Sequence, residues 1–263
     1  MNIAKDQIMI VSDPNYFPTK AFELASVLSK VHEKDVTFLY VPTGKEKDLK
    51  EVEKDLSDWC GLYADELTQP LNYHILDDDF TDFMESNEVR SVMFELIPGS
   101  QYPNCKKALK LCRELRIAYY FLKPDQQINY RQVLVPVGFL VEEKEKGVFC
   151  SGMGRLLHSE ILLMTANDYG SRAKENAARI RTILDKFKIS YSDIPAQKDS
   201  FKIELEAVQK AKELHAGLLL ISASRDYGLD DIIFGPKEQK VIEKSEIPVM
   251  VINPRKDLYA LCE

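Results

Sequence analysis

The chain has 263 residues and a formal net charge of −7, with 45% hydrophobic and 29% charged residues. That make-up fits one large or two ordinary globular domains. Lysines are interspersed with acids, so no basic face exists to release counterions from a nucleic acid. The longest apolar runs fall far short of the ~20 residues needed to span a bilayer, so no membrane insertion is expected.

Short apolar runs alternate with segments of helical period along the whole chain. In the first half the strand-like runs are Ile8–Val11, Val36–Val41, Leu71–Ile75, Val92–Ile97 and Ile117–Leu122. In the second they are Val133–Val137, Ile161–Thr165, Ile189–Ile194, Leu218–Ile221 and Pro248–Ile252. Nearly continuous apolar runs suit strands buried on both faces, as in parallel sheets covered by helices. Between them lie amphipathic stripes: Ala21, Leu24, Ala25, Leu28 and Val31, then Leu49, Val52, Leu56, Trp59 and Tyr63. The second half repeats this with Ala173, Ala177, Ile180, Leu184 and Phe187, then Phe201, Leu205, Val208 and Ala211.

The two halves echo each other. Asp35–Pro42 aligns with Glu160–Asn167, and Ile8–Pro14 with Val133–Phe139, both at an offset of 125 residues. The offset grows between the fourth and fifth strands, so the second half carries the longer loop there. An internal duplication is expected, with domains over 1–125 and 131–263 and a polar join near Asp125–Arg131.

The segment from Ala216 to Pro254 resembles the C-terminal part of a universal stress protein domain. It runs an apolar strand, a loop, the triplet Ile232-Ile233-Phe234, a helix start and the Pro248–Ile252 strand. The resemblance implies an α/β fold of two tandem, doubly wound, five-stranded parallel sheets with helices on both faces, Rossmann-like and akin to the adenine nucleotide alpha hydrolases. It also implies pairing through the fifth strands, as an intrachain pseudo-dimer around Ile117–Leu122 and Pro248–Ile252, and admits a homodimer. The family places adenine near the end of strand one, at the point where strand order reverses. Phosphates lie on a Gly-x-x-Gly, nine residues, Gly-Ser/Thr loop, where glycines and a helix N-terminus present N–H groups.

This chain departs from that pattern. The loop positions are Ser222, Arg225, Gly235 and Pro236, with Gly228 three residues past its expected place. Pro236 replaces the phosphate-binding hydroxyl and removes an N–H, although it suits the first turn of a helix. Gly138 stands where the strand-one acid belongs in the second half, whereas Asp13 matches that acid in the first. The first half's loop, Pro98–Asn104, is shortened and lacks the glycine motif.

Other constellations carry dull readings. No Gly-x-x-x-x-Gly-Lys-Ser/Thr, Ser-Gly-Gly-x-Asp-Ser or His-x-Gly-His motif occurs, and the four histidines form no close metal-type pair. Cys105 and Cys112 share an apolar helix face with Ala108, Leu109 and Leu115, as buried small hydrophobes. Five cysteines, with no basic region and apolar stretch at the N-terminus, point to a reducing cytoplasm. Asp77-Asp78-Asp79 suits a helix cap better than a metal site. Gly147, Gly152 and Gly154 predict an irregular or mobile helix with room for a ligand.

Two functions follow from the resemblance. The first is a non-catalytic regulatory or stress-response protein with an eroded nucleotide site, acting through an unknown protein partner or small ligand. The alternative is an adenine-nucleotide-binding protein with weak or no hydrolysis, taking ATP or AMP on Asp13 or on the Ser222–Gly235 loop. An enzyme of the wider nucleotide-binding group is disfavoured by the missing catalytic motifs.

Overall fold

The computed structural model of the chain describes residues 6–44, 48–223 and 237–253. They form two compact units, Met1–Gln126 and Gln127–Glu263.

The first unit runs β1 (Ile8–Val11), α1 (Thr19–His32), β2 (Val36–Tyr40), α2 (Leu49–Tyr63), β3 (Leu71–Ile75), α3 (Phe80–Ser86), β4 (Ser91–Glu95), α4 (Cys105–Cys112) and β5 (Ala118–Leu122). Its strands are all parallel, in the order β3-β2-β1-β4-β5. The register places Ile8 between Val36 and Ser91. β1, β2, β4 and β5 are buried along their whole length, in keeping with their mainly apolar sequences. β3, at the end of the order, alternates Asn72 and His74 with apolar residues and is only half-buried.

The second unit repeats the plan with β6 (Gln132–Val137), α5 (Lys146–Leu156), β7 (Glu160–Thr165), α6 (Arg172–Lys186), β8 (Tyr191–Pro195), α7 (Ile203–Lys210), β9 (Leu218–Ser222), α8 (Lys237–Lys244) and β10 (Val249–Ile252). The order is β8-β7-β6-β9-β10, again all parallel. α5 packs with α6, and α7 with α8. In each unit strand order reverses beside the first strand, between β2 and β4 around β1 and between β7 and β9 around β6. The architecture is thus the expected one, parallel doubly wound sheets with helices on both faces. Among the described residues no helix is long and apolar enough to cross a membrane.

Helix starts follow local chemistry. Asp79, last of the acidic triplet, caps α3 by accepting from Thr81 N at 2.8 Å and Asp82 N at 3.2 Å. Asn104 caps α4 through Lys106 N at 3.1 Å. On α4, Cys105, Ala108, Leu109 and Cys112 form the expected buried face.

Two expectations change. The glycine-rich segment is not irregular: a 3₁₀ turn over Val141–Glu145 leads into a continuous α5. Two of its three glycines, Gly147 and Gly154, make room for neighbouring protein. A Cβ on Gly147 would lie 2.8 Å from Ile183 Cδ1, and one on Gly154 would lie 2.3 Å from Ile189 Cγ2, so α5 sits too close to its neighbours for a side chain there. The buried face of α7 also differs. Phe201 is 74% exposed, whereas Ile203, Glu204, Glu206 and Ala207 are buried. The two acids tolerate burial because each is partnered. Glu206 accepts from Gln197 N and Lys198 N and pairs with Lys210, while Glu204 pairs with Lys237.

Candidate functional site

The carboxyl ends of the strands flanking the reversal points are where an open α/β sheet offers backbone groups to a ligand. In the first unit these groups are already taken. Asp13 follows β1, and its carboxylate accepts from Gln101 N at 2.8 Å across the mouth of the crevice. The other carboxylate oxygen accepts from Asn15 N at 3.0 Å and Asn15 Nδ2 at 2.8 Å. Gln101 Nε2 in turn donates to Val41 O at 2.6 Å, beyond β2. Gly99 has φ +87, and a Cβ there would lie 2.8 Å from the Tyr16 hydroxyl, so only glycine lets this loop close over the β1 turn.

Deeper in the same crevice, Glu95 ends β4 and is 6% exposed. It accepts from Lys20 N at 2.6 Å and Ala21 N at 3.0 Å, in the first turn of α1. Pro18 precedes that helix and supplies no side-chain cap. The carboxylate therefore satisfies N–H groups that a helix start would otherwise hold out to an anion. Burial pushes its pKa up from the ordinary glutamate value, and the two N–H bonds only partly offset this.

The second unit fills its crevice differently. Beyond β6, Gly138 N donates to Glu143 Oε2 at 2.9 Å, and Gly138 O accepts from Asn176 Nδ2 at 2.9 Å. Lys146, first residue of α5, places its Nζ 2.8 Å from Glu143 Oε2 and 2.6 Å from Pro136 O. Their side chains are 0% and 7% exposed. Burial works against the Glu143 charge, but Lys146, the Gly138 N–H and the Ser222 hydroxyl outweigh it and lower its pKa. Nearby, Lys237 pairs with Glu204 at 3.0 Å. Burial opposes that ammonium too, yet Glu204, and Glu143 beyond it, raise its pKa.

Beside this lies a shallow cleft of about 390 Å³, lined by Phe139, Asp168, Gly170, Ser171 and Arg172. Phe139 packs edge-on against Phe201, their ring centres 5.4 Å apart. The Asp168 carboxylate accepts from Ser200 Oγ at 2.5 Å and Ser200 N at 2.9 Å, and Ser200 Oγ accepts from Phe139 N at 2.9 Å. The cleft is thus walled by the Phe139 ring, the Asp168 carboxylate, a guanidinium and the start of α6.

Of the residues singled out by sequence, Asp13 lies in the first unit's crevice, and Gly138 and Ser222 lie in the second's. Arg225, Gly228, Gly235 and Pro236 fall outside the described residues, as does the triplet Ile232-Ile233-Phe234. Glu95, Glu143 and Lys146 were not anticipated. Glu95 leaves one trace, a lone charge inside the apolar run Val92–Ile97. Glu143 and Lys146 leave none, because Glu142–Lys146 is five charged residues in a row and has the look of a solvated turn. Among the described residues no group of three or more His, Cys, Asp or Glu is placed to hold a metal.

Known structures share this architecture along nearly the full length. A universal stress protein from Archaeoglobus fulgidus DSM 4304 superposes over 96% of this chain and 98% of its own, with 14% identity and a TM-score of 0.68. A candidate universal stress protein from Pseudomonas aeruginosa UCBPP-PA14 covers 98% and 96%, with 16% identity and a TM-score of 0.65. A functionally unknown protein from Pseudomonas aeruginosa PAO1 gives the same coverage and identity, with a TM-score of 0.62. No family model and no curated protein matches the sequence. The chain therefore has the universal stress protein fold.

Proposed function

We propose that this chain is a non-catalytic regulatory protein of the universal stress protein type, acting through partners, whose nucleotide crevices its own side chains have closed. The observation that carries this is a substitution of carboxylates for ligand. Asp13 and Glu95 hold the backbone N–H groups of Gln101, Lys20 and Ala21 in the first unit. Glu143 holds that of Gly138 in the second. A phosphate or base entering either crevice would displace a carboxylate already bonded there, and a phosphate would also meet like charge. Thermal melts in millimolar ATP, ADP and AMP test the reading: an unchanged transition is expected. A nucleotide-dependent rise abolished by Asp13→Ala would overturn it.

The alternative is adenine-nucleotide binding in the second unit, and one observation favours it. The Phe139 cleft has the volume of a small-ligand site, with one aromatic ring and the Arg172 guanidinium in its lining. Under that reading Arg172→Ala abolishes a nucleotide-induced shift that Asp13→Ala leaves intact.

A further inference from the structure

β9 stops pairing with β6 at Leu134↔Leu219, although β6 continues to Val137. Val137 O accepts from Ala166 N on the β7 side. Backbone groups alternate sides along a strand, so Pro136 O and Gly138 N, one residue either way, face the gap that β9 leaves. Unfilled, that gap would present an acceptor and a donor two residues apart on one edge. This is the complement of a planar group carrying an amine beside a ring nitrogen, as adenine does.

Both backbone groups are instead taken by one ion pair. Lys146 Nζ supplies the donor to Pro136 O, Glu143 Oε2 the acceptor for Gly138 N, and the two are bonded to each other. Around them Glu142, Glu143, Lys144, Glu145 and Lys146 are all buried, an arrangement costly for charges unless each is partnered. A tie between the 3₁₀ turn and the sheet would need only one such bond. Here a donor and an acceptor together match both groups of the open edge.

We propose that Glu143 and Lys146 are an internal occupant of the second unit's crevice, a built-in donor–acceptor pair standing where an adenine-type base would dock. The inference rests on the reading of closed crevices above and specifies how the second one is closed. A base can enter only if the pair is removed, and shrinking both side chains should therefore create binding that the native protein lacks.

The test is calorimetric titration of adenosine and AMP into the full chain, its Glu143→Ala/Lys146→Ala variant and the volume-conserving Glu143→Gln/Lys146→Met variant. Saturable binding by the alanine pair alone is expected. A folded alanine pair that stays silent overturns the inference, as does native binding that is lost on Gly138→Val. Should the alanine pair not fold, the melting temperatures of Glu143→Gln, Lys146→Met and their combination decide. The combination should lose less than the sum of the single losses, because each single change strands a buried partner. Strict additivity would overturn the pairing. Native binding abolished by Asp13→Ala would contradict the functional reading while leaving this inference standing.

Discussion

Glu95 shows how one buried carboxylate can end a strand and start a helix at once. Replacing it with alanine leaves the buried Ala21 N–H and the part-buried Lys20 N–H without their acceptor, and the buried one alone costs about 1–3 kcal/mol. Urea denaturation should register the loss, with Glu95→Gln losing less because an amide oxygen still accepts. The pKa of Glu95 is raised in the fold, so its contribution is fully present below the ordinary value of 4.5 and is lost as pH rises through the folded value. Glu206 behaves in the opposite sense. Burial works against its charge, but the Gln197 and Lys198 N–H groups and Lys210 lower its pKa below 4.5. Its contribution is therefore present above 4.5 and disappears as pH falls through the folded value. Stability measured against pH should accordingly show Glu206→Gln flattening the acid limb and Glu95→Gln flattening the decline above 4.5. An unchanged profile in either variant would contradict the corresponding assignment. At this scale the sequence was only partly legible. Asp13 stood out because a family pattern places an acid there, whereas Glu143 and Lys146 lie in a charged run that gives no sign of burial.

At the scale of the element, α5 separates glycines by what surrounds them. Gly152 faces open space, so Gly152→Ala should stabilise the protein by roughly 0.5–1 kcal/mol through helix propensity alone. Gly154 faces Ile189 at a distance no Cβ can occupy, and Gly154→Val should destabilise by about 1–3 kcal/mol or more through overpacking. Chemical denaturation of the two variants checks both signs. The strands were legible because burial on both faces writes an apolar run whatever the surroundings. The buried face of α7 was not, because periodicity counts hydrophobic residues and Glu204 and Glu206 are buried through their partners. The continuity of α5 was hidden for a related reason: a glycine that admits a neighbouring helix has the same one-letter code as one that breaks a helix.

Across the whole molecule the same strand order recurs in both units while the chemistry at the reversal points does not. At those points the first unit places two hydrogen-bonded acids and a glycine turn, and the second a lysine–glutamate pair. Patterning fixes a doubly wound sheet because many residues vote for it together. A crevice is decided by three or four side chains, and their partners lie far away in sequence: Glu95 caps a helix 75 residues before it, and Asp13 meets a loop 88 residues after it. Such pairings have no local signature. Amide hydrogen exchange at Lys20, Ala21, Gln101 and Gly138 tests this account most directly, because those are the N–H groups said to be held by internal carboxylates. All four should be protected in the protein alone and should stay unchanged in millimolar ATP or AMP. Fast exchange in the free protein, or protection that appears only with nucleotide, would contradict it.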